Sequence, residues 1–224
     1  TAWLRRYQLS SGAYRDTRLQ PPDWDGWLHS AVFSPDLRRL VAGGIHNPWP
    51  VKGEKLPRRR RGMWFWDTQT GKLLGKPKRF PEGTVFHDLI YTFRPDSRAL
   101  AVAITTITPT TTAGGKVERI YSNPLLQLLD VPNAQVLKEF EFPKGRVMLH
   151  SIAFNPFGDL LACIDNHFVL ELRDVATGKV RGPPSPIYAA AAAFSADGKR
   201  LFVGYWDGTA KLWELDALLS AGEK

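Results

Sequence analysis

"AAFSADGKRLFVGYWDGTAKLWE", residues 192–214, alternates short apolar runs with two Asp-Gly dipeptides. Asp197-Gly198 and Asp207-Gly208 are tight-turn signals that let a strand reverse on itself. In the last run, Leu212 points one way while Lys211 and Trp213 point the other, because side chains alternate along a strand. The stretch predicts three short antiparallel strands, and it is either a lone hairpin unit or the last copy of a repeat.

The residues before it decide for the repeat. "SIAFNPFGDLLACIDNHFVLELRD" (151–174), "IYTFRPDSRALAVAI" (from 90) and "SAVFSPDLRRLVAGGI" (from 30) each carry a strand ending in Phe, a polar turn and a second strand. The turn openers Ser34, Arg94, Asn155 and Ser195 fall in register, at spacings of 60, 61 and 40. The second halves recur as well, in "MWFWDTQTGKLLG" (from 63), "VLELRDVATGKVRG" (from 169) and, more loosely, "LLQLLDVPNAQVLKEF" (from 125). "LRRYQLSSGAY" (from 4) is the same segment of a unit whose start is missing. Asp67, Asp130 and Asp174 share one register, with Gln8 and Glu214 as its deviants. The run "AAAAAF" from 189 suits an inner strand crowded by its neighbours.

These residues resemble WD40 repeats over nearly the whole chain. The resemblance implies an all-β fold, a WD40-type β-propeller built from four-stranded antiparallel blades. About four blades are covered, and the resemblance favours a segment of a larger ring. Residues 1–20 supply the last two strands of a preceding blade, 21–80 a blade with a basic insertion (45–62), and 81–142 a blade with a hairpin insertion (105–122). Residues 143–182 form a compact blade, and 183–224 a final blade of three strands with a short tail, which could borrow its fourth strand from the N-terminal segment. Many WD40 blades join an Asp, a His, a Ser or Thr and a Trp in a buried polar network. Asp207 and Trp213 match two of these positions, but Trp24, Thr84, Gly145 and Ser185 stand at the His register, so the network is incomplete. The blades are therefore expected to depend more on apolar packing.

Composition agrees with many short elements. The 224 residues include 43% hydrophobic side chains, 19 Gly and 17 Pro, enough apolar content for a sizeable core cut by frequent turns. The single Cys, Cys163, excludes an intrachain disulfide framework and sits in the apolar run "LLACI", where a buried thiol is expected. This usage points to a cytoplasmic, reducing setting. No apolar run approaches the ~18 residues of a membrane span. The first residue is Thr rather than Met, so the chain reads as an excised piece.

Function rests on the insertions. Trp66 lies 32 residues after Ser34 and Leu129 lies 35 after Arg94, against 18 in the compact copies. Both insertions fall between the second and third strands, the same rank and hence the same face of a propeller, which marks a binding face. The first, "IHNPWPVKGEKLPRRRRG" (45–62), places Trp49, Lys52, Lys55, Arg58, Arg59, Arg60 and Arg61 together with only Glu54 opposing them. Consecutive Arg engage carboxylates or phosphates bidentately, and they also occur in solvated loops without a partner. The second, "TTITPTTTAGGKVERIYSNP" (105–124), alternates β-branched residues around Gly114-Gly115 and predicts a long hairpin arm. His29 and His150 recur in "LHS" as a repeat position without accompanying ligands, so no metal site follows. His46, His87 and His167 are isolated. No phosphate loop, metal spacing or nucleophile elbow is present, so no catalytic residue and no cofactor is expected. The expected function is a non-catalytic scaffold that binds a protein or peptide, acidic in one version. With a net charge of +8, the alternative is nucleic acid or another polyanion at Arg58–Arg61. A third reading is a regulatory arm of a larger bacterial signalling enzyme, supported by fold analogy alone.

Overall fold

The computed structural model describes residues 2–8, 10–19, 27–46, 60–80, 90–105, 107–111, 117–121, 125–131, 133–143 and 148–220. The chain divides into two compact units, Thr1–Gly83 with Val131–Gln135, and Thr84–Asp130 with Val136–Lys224.

In the first unit, β1 (Ala2–Tyr7) and β2 (Tyr14–Leu19) form an antiparallel pair of their own. Beside them β3 (Trp27–Phe33), β4 (Arg39–His46), β5 (Arg60–Asp67) and β6 (Leu73–Arg79) form a four-stranded sheet in sequence order. Leu4 and Leu19 of the pair pack with Leu40, Ala42, Trp64 and Trp66 of the sheet. Alternate residues Val41, Met63 and Phe65 point to the opposite face and are also fully buried. Burial on both faces explains why "MWFW" is apolar at every position rather than at every second one.

The second unit holds three sheets and an arm. β7 (Ile90–Phe93), β8 (Ala99–Ile104), β11 (Leu125–Asp130) and β12 (Val136–Phe140) form one four-stranded sheet. Between β8 and β11, β9 (Ile107–Thr111) and β10 (Val117–Tyr121) pair as the expected hairpin arm. β13 (Leu149–Phe154), β14 (Leu160–Asp165), β15 (Val169–Asp174) and β16 (Val180–Pro186) form the next sheet. β17 (Ala189–Phe194), β18 (Arg200–Tyr205) and β19 (Ala210–Glu214) form the last, which stops at three strands. A short helix, α1 (Leu215–Ser220), follows β19.

Sheet packs on sheet through apolar side chains. Ala101, Ala103, Leu126 and Phe140 meet Leu149, Ile152, Leu161 and Cys163 of the next sheet. Leu160, Ala162, Ile164, Leu170 and Leu172 in turn meet Ala189, Leu201 and Val203. Among the described residues the β17–β18–β19 sheet is covered on that side alone. Ala193, Phe202 and Leu212 line up across it on the other side, and Phe202 and Leu212 are 50% and 51% exposed.

Four features differ from the sequence expectation. β16 continues to Pro186, past the boundary at 182, because Pro is tolerated on an outer strand whose register has already shifted at Leu170/Leu172. Ala191 and Ala193 are exposed rather than crowded, since they lie on the uncovered side of the last sheet. The tail after β19 is helical, and Leu215 and Leu218 bury among the Leu172 cluster instead of leaving the sheet. Among the described residues the last sheet gains no fourth strand.

The recurring turns show why the spacing repeats. Ser34, Arg94, Asn155 and Ser195 each accept from the amide three residues on and donate to the carbonyl five on. The third-following residue takes positive φ in every copy, as Leu37 (φ 58), Ser97 (φ 62), Gly158 (φ 73) and Gly198 (φ 71). The Asp67 and Asp174 carboxylates accept from the amide and hydroxyl of Thr70 and Thr177, closing equivalent turns. Gln8 closes the same backbone turn without the carboxylate.

Candidate functional site

The inner strands β3, β13 and β17 carry a register shift at one place, leaving His29, His150 and Ala190 as extra residues. A bulge of this kind re-aims a side chain. The recurring "LHS" thus falls at one bulge position, which Ala190 also occupies in the last sheet. The bulge also brings His150 to the end of its sheet where β14 turns into β15.

That turn is braced from both sides. Asp165 Oδ1 accepts from the amides of His167 and Val169, at 2.9 and 3.0 Å. Asn166 donates its amide to the Met148 carbonyl, and Phe168 offers its carbonyl to the Ala189 amide of the next sheet. Phe168 is thereby held at φ 60, and Tyr188, just before β17, at φ 53. Bulky residues seldom adopt this left-handed conformation, which costs on the order of 1–3 kcal/mol.

The two strained residues meet His150 and Trp206 in one aromatic cluster. The His150 and Phe168 rings stack at 5.9 Å, Phe168 and Tyr188 at 6.1 Å, and Trp206 stands edge-on to His150 and Phe168 at 6.2 and 5.9 Å. Tyr188 and Trp206 nonetheless remain 72% and 64% exposed. Beside them opens a cleft of about 590 Å³, lined by Ile187, Tyr188, Tyr205, Trp206, Asp207 and Thr209. Asp207 Oδ1 accepts from the Thr209 amide at 2.9 Å and hydroxyl at 2.6 Å. Those bonds, the hydroxyl's first, hold the Asp207 carboxyl below its ordinary value, so it is anionic at neutral pH. The Trp213 indole N–H donates to the Tyr205 hydroxyl at 2.9 Å. Asp207 and Trp213 thus serve separate local bonds, as an incomplete polar network requires.

The basic insertion is only partly in view. Trp49, Lys52, Lys55, Arg58 and Arg59 lie outside the described residues. Arg60 and Arg61 are strand residues of β5, paired with His46 and Ile45 of β4 respectively, rather than loop residues, because the hairpin ladder extends further than the repeat pattern suggests. Asp130 closes β11 opposite Ala99. The aromatic cluster was not read from the sequence. Its signal was available in Phe168 and Trp206, large apolar side chains in turns of equal rank in adjacent repeats.

A family model described as WD domain, G-beta repeat matches residues 175–214, which run from the end of β15 through β19. A search of curated proteins gives no significant match. Among solved structures, hydrazine synthase of Kuenenia stuttgartiensis is similar at 17% identity and a TM-score of 0.56. The alignment covers 82% of this chain and 57% of that one. At that identity the likeness is one of fold. Together with the four-stranded antiparallel sheets, it gives the chain a β-propeller fold of about four blades.

Proposed function

We propose, from the premise that the chain carries a WD40 repeat in an array of propeller blades, that it is a non-catalytic module binding a protein or peptide. WD40 repeats generally mediate protein interactions. The carrying observation is the His150–Phe168–Tyr188–Trp206 cluster, which spends backbone strain to hold aromatic rings in solvent. Tyr and Trp are the residues that dominate binding energy at protein interfaces. The hairpin arm leaves its sheet at the β8–β11 connection, equal in rank to the β14–β15 and β18–β19 turns of the cluster, which supports one binding end for this unit. A cytoplasmic setting is part of the proposal, and the single buried Cys163 is compatible with it. The likeness to an enzyme supports no activity here, because propellers host many functions.

The test is a display of random dodecapeptides against the chain, followed by binding of the selected peptides to Tyr188→Ser and Trp206→Ser variants. A loss of at least tenfold in affinity, with unchanged thermal midpoints, is the expected result. Selected peptides that bind both variants normally would overturn the assignment to this end of the blades. The Arg58–Arg61 stretch is a second proposed contact, for acidic partners. Its replacement by Ala should then lower affinity and flatten the salt dependence. Nucleic acid is favoured instead if the intact chain binds DNA or RNA with a log–log salt slope of about −3 to −4.

A further inference from the structure

Resting on that reading, the cleft beside the aromatic cluster restricts what kind of peptide fits. Its six lining residues include three aromatic rings and one carboxylate, and no lysine, arginine or histidine. Ring faces are electron-rich, and an adjacent carboxylate adds a full negative charge, so the wall is negative although the chain as a whole carries +8. Both Thr209 bonds fall on Asp207 Oδ1, and the Asp207 side chain itself lines the cleft. Thr209 adds a hydroxyl at the rim. The molecule already uses the same chemistry internally. Lys211 Nζ lies 3.8 Å over the Trp213 ring, Arg173 4.1 Å over Phe142 and Arg5 4.3 Å over Tyr14.

We propose that the Tyr188–Tyr205–Trp206–Asp207 cleft receives the side chain of an arginine or lysine from a partner peptide. The cation lies against the rings of Tyr188 and Trp206 and pairs with Asp207, while the aliphatic stem covers Ile187. An acidic side chain finds no complement in this wall, and an apolar one would cover the rings but leave the Asp207 carboxylate unpaired. The partner surface is therefore basic here, the opposite of what the Arg58–Arg61 stretch would select.

The experiment uses the whole chain with two small probes, butylguanidinium and the neutral pentanamide, which has a similar stem and a planar head. The Trp206 indole N–H resonance is assigned with Trp206→Phe and followed during titration. Saturable shifts with butylguanidinium, at least threefold tighter than with pentanamide, are expected. Asp207→Asn, whose amide oxygen still accepts from Thr209, should weaken the cation at least threefold while the chain keeps a cooperative thermal transition and the pentanamide response is unchanged. Equal saturation by both probes, or none by the cation, overturns the proposal. The random peptides separate this from the broader reading. If they bind through Trp206 but show no Arg or Lys enrichment and ignore Asp207→Asn, the cation site falls and the peptide-binding end stands. If no peptide binds through Trp206, the broader reading falls first.

Discussion

Arg173 and Glu171 are 3% and 2% exposed on β15 and form an ion pair at 2.7 Å. Arg173 also donates to the Glu141 and Gly178 carbonyls, at 2.8 and 3.3 Å, so one guanidinium ties the strand to its own turn and to the sheet before it. Removing the cation takes the counter-charge from a buried carboxylate in a medium that solvates it poorly. Arg173→Met should cost about 3–5 kcal/mol, measured by denaturant unfolding. Adding Glu171→Leu should recover most of that loss, and failure to recover would locate the cost in the lost carbonyl bonds. Nothing in the residue pattern announced this pair. Glu171 and Arg173 occupy strand positions where the preceding repeat holds Gln127 and Leu129 and the last repeat Lys211 and Trp213, so the repeat is legible and the local chemistry is not. Side-chain pairing across a buried strand depends on which faces are covered, and a single repeat does not specify that.

Strands were the most legible elements. The four turn openers and the Asp67 and Asp174 turns fixed strand ends because each turn satisfies its own backbone groups within about six residues. Helix α1 escaped notice because its six residues carry no period long enough to register, and its stability comes from packing. It sits against β16 at Gly182, which has φ +72. A Cβ there would meet the Leu218 carbonyl oxygen at 2.6 Å. Gly182→Ala should therefore destabilise the last two sheets by about 1–3 kcal/mol and displace α1. Hydrogen exchange would then show faster exchange at Leu215–Ser220, while β7–β12 stay protected. The His150 member of the aromatic cluster is beyond sequence reading for a related reason. His150 enters it only because a bulge turns its side chain, and a bulge leaves no mark in an apolar run.

Across the whole chain, acid acts through the turns. Asp36 and Asp197 are held below the ordinary carboxylate value of 3.8 by the Ser34 and Ser195 hydroxyls, and Asp174 by the Thr177 amide and hydroxyl. These bonds favour the ionised form, so the folded chain binds these protons less readily than the unfolded chain. The stability they contribute is complete above the ordinary value and is lost as pH falls through the lower folded values. Thermal midpoints should be flat from about pH 7 to about pH 5 and drop below about pH 4. Asp36→Asn with Asp197→Asn should reduce that drop, and an identical acid profile in the double variant would assign the loss to other groups.

Helix α1 has a mechanical consequence. Leu215 and Leu218 lie in the same apolar cluster as Leu160 and Leu172 of the preceding sheet. A pull on the C-terminus is therefore borne first by two sheets at once. Tension must draw the helix out of its seat before any load reaches the hydrogen bonds between β18 and β19. The last and least covered sheet is spared by a clasp that its neighbour holds shut, and a tether attached after Ser220 would be carried by that clasp.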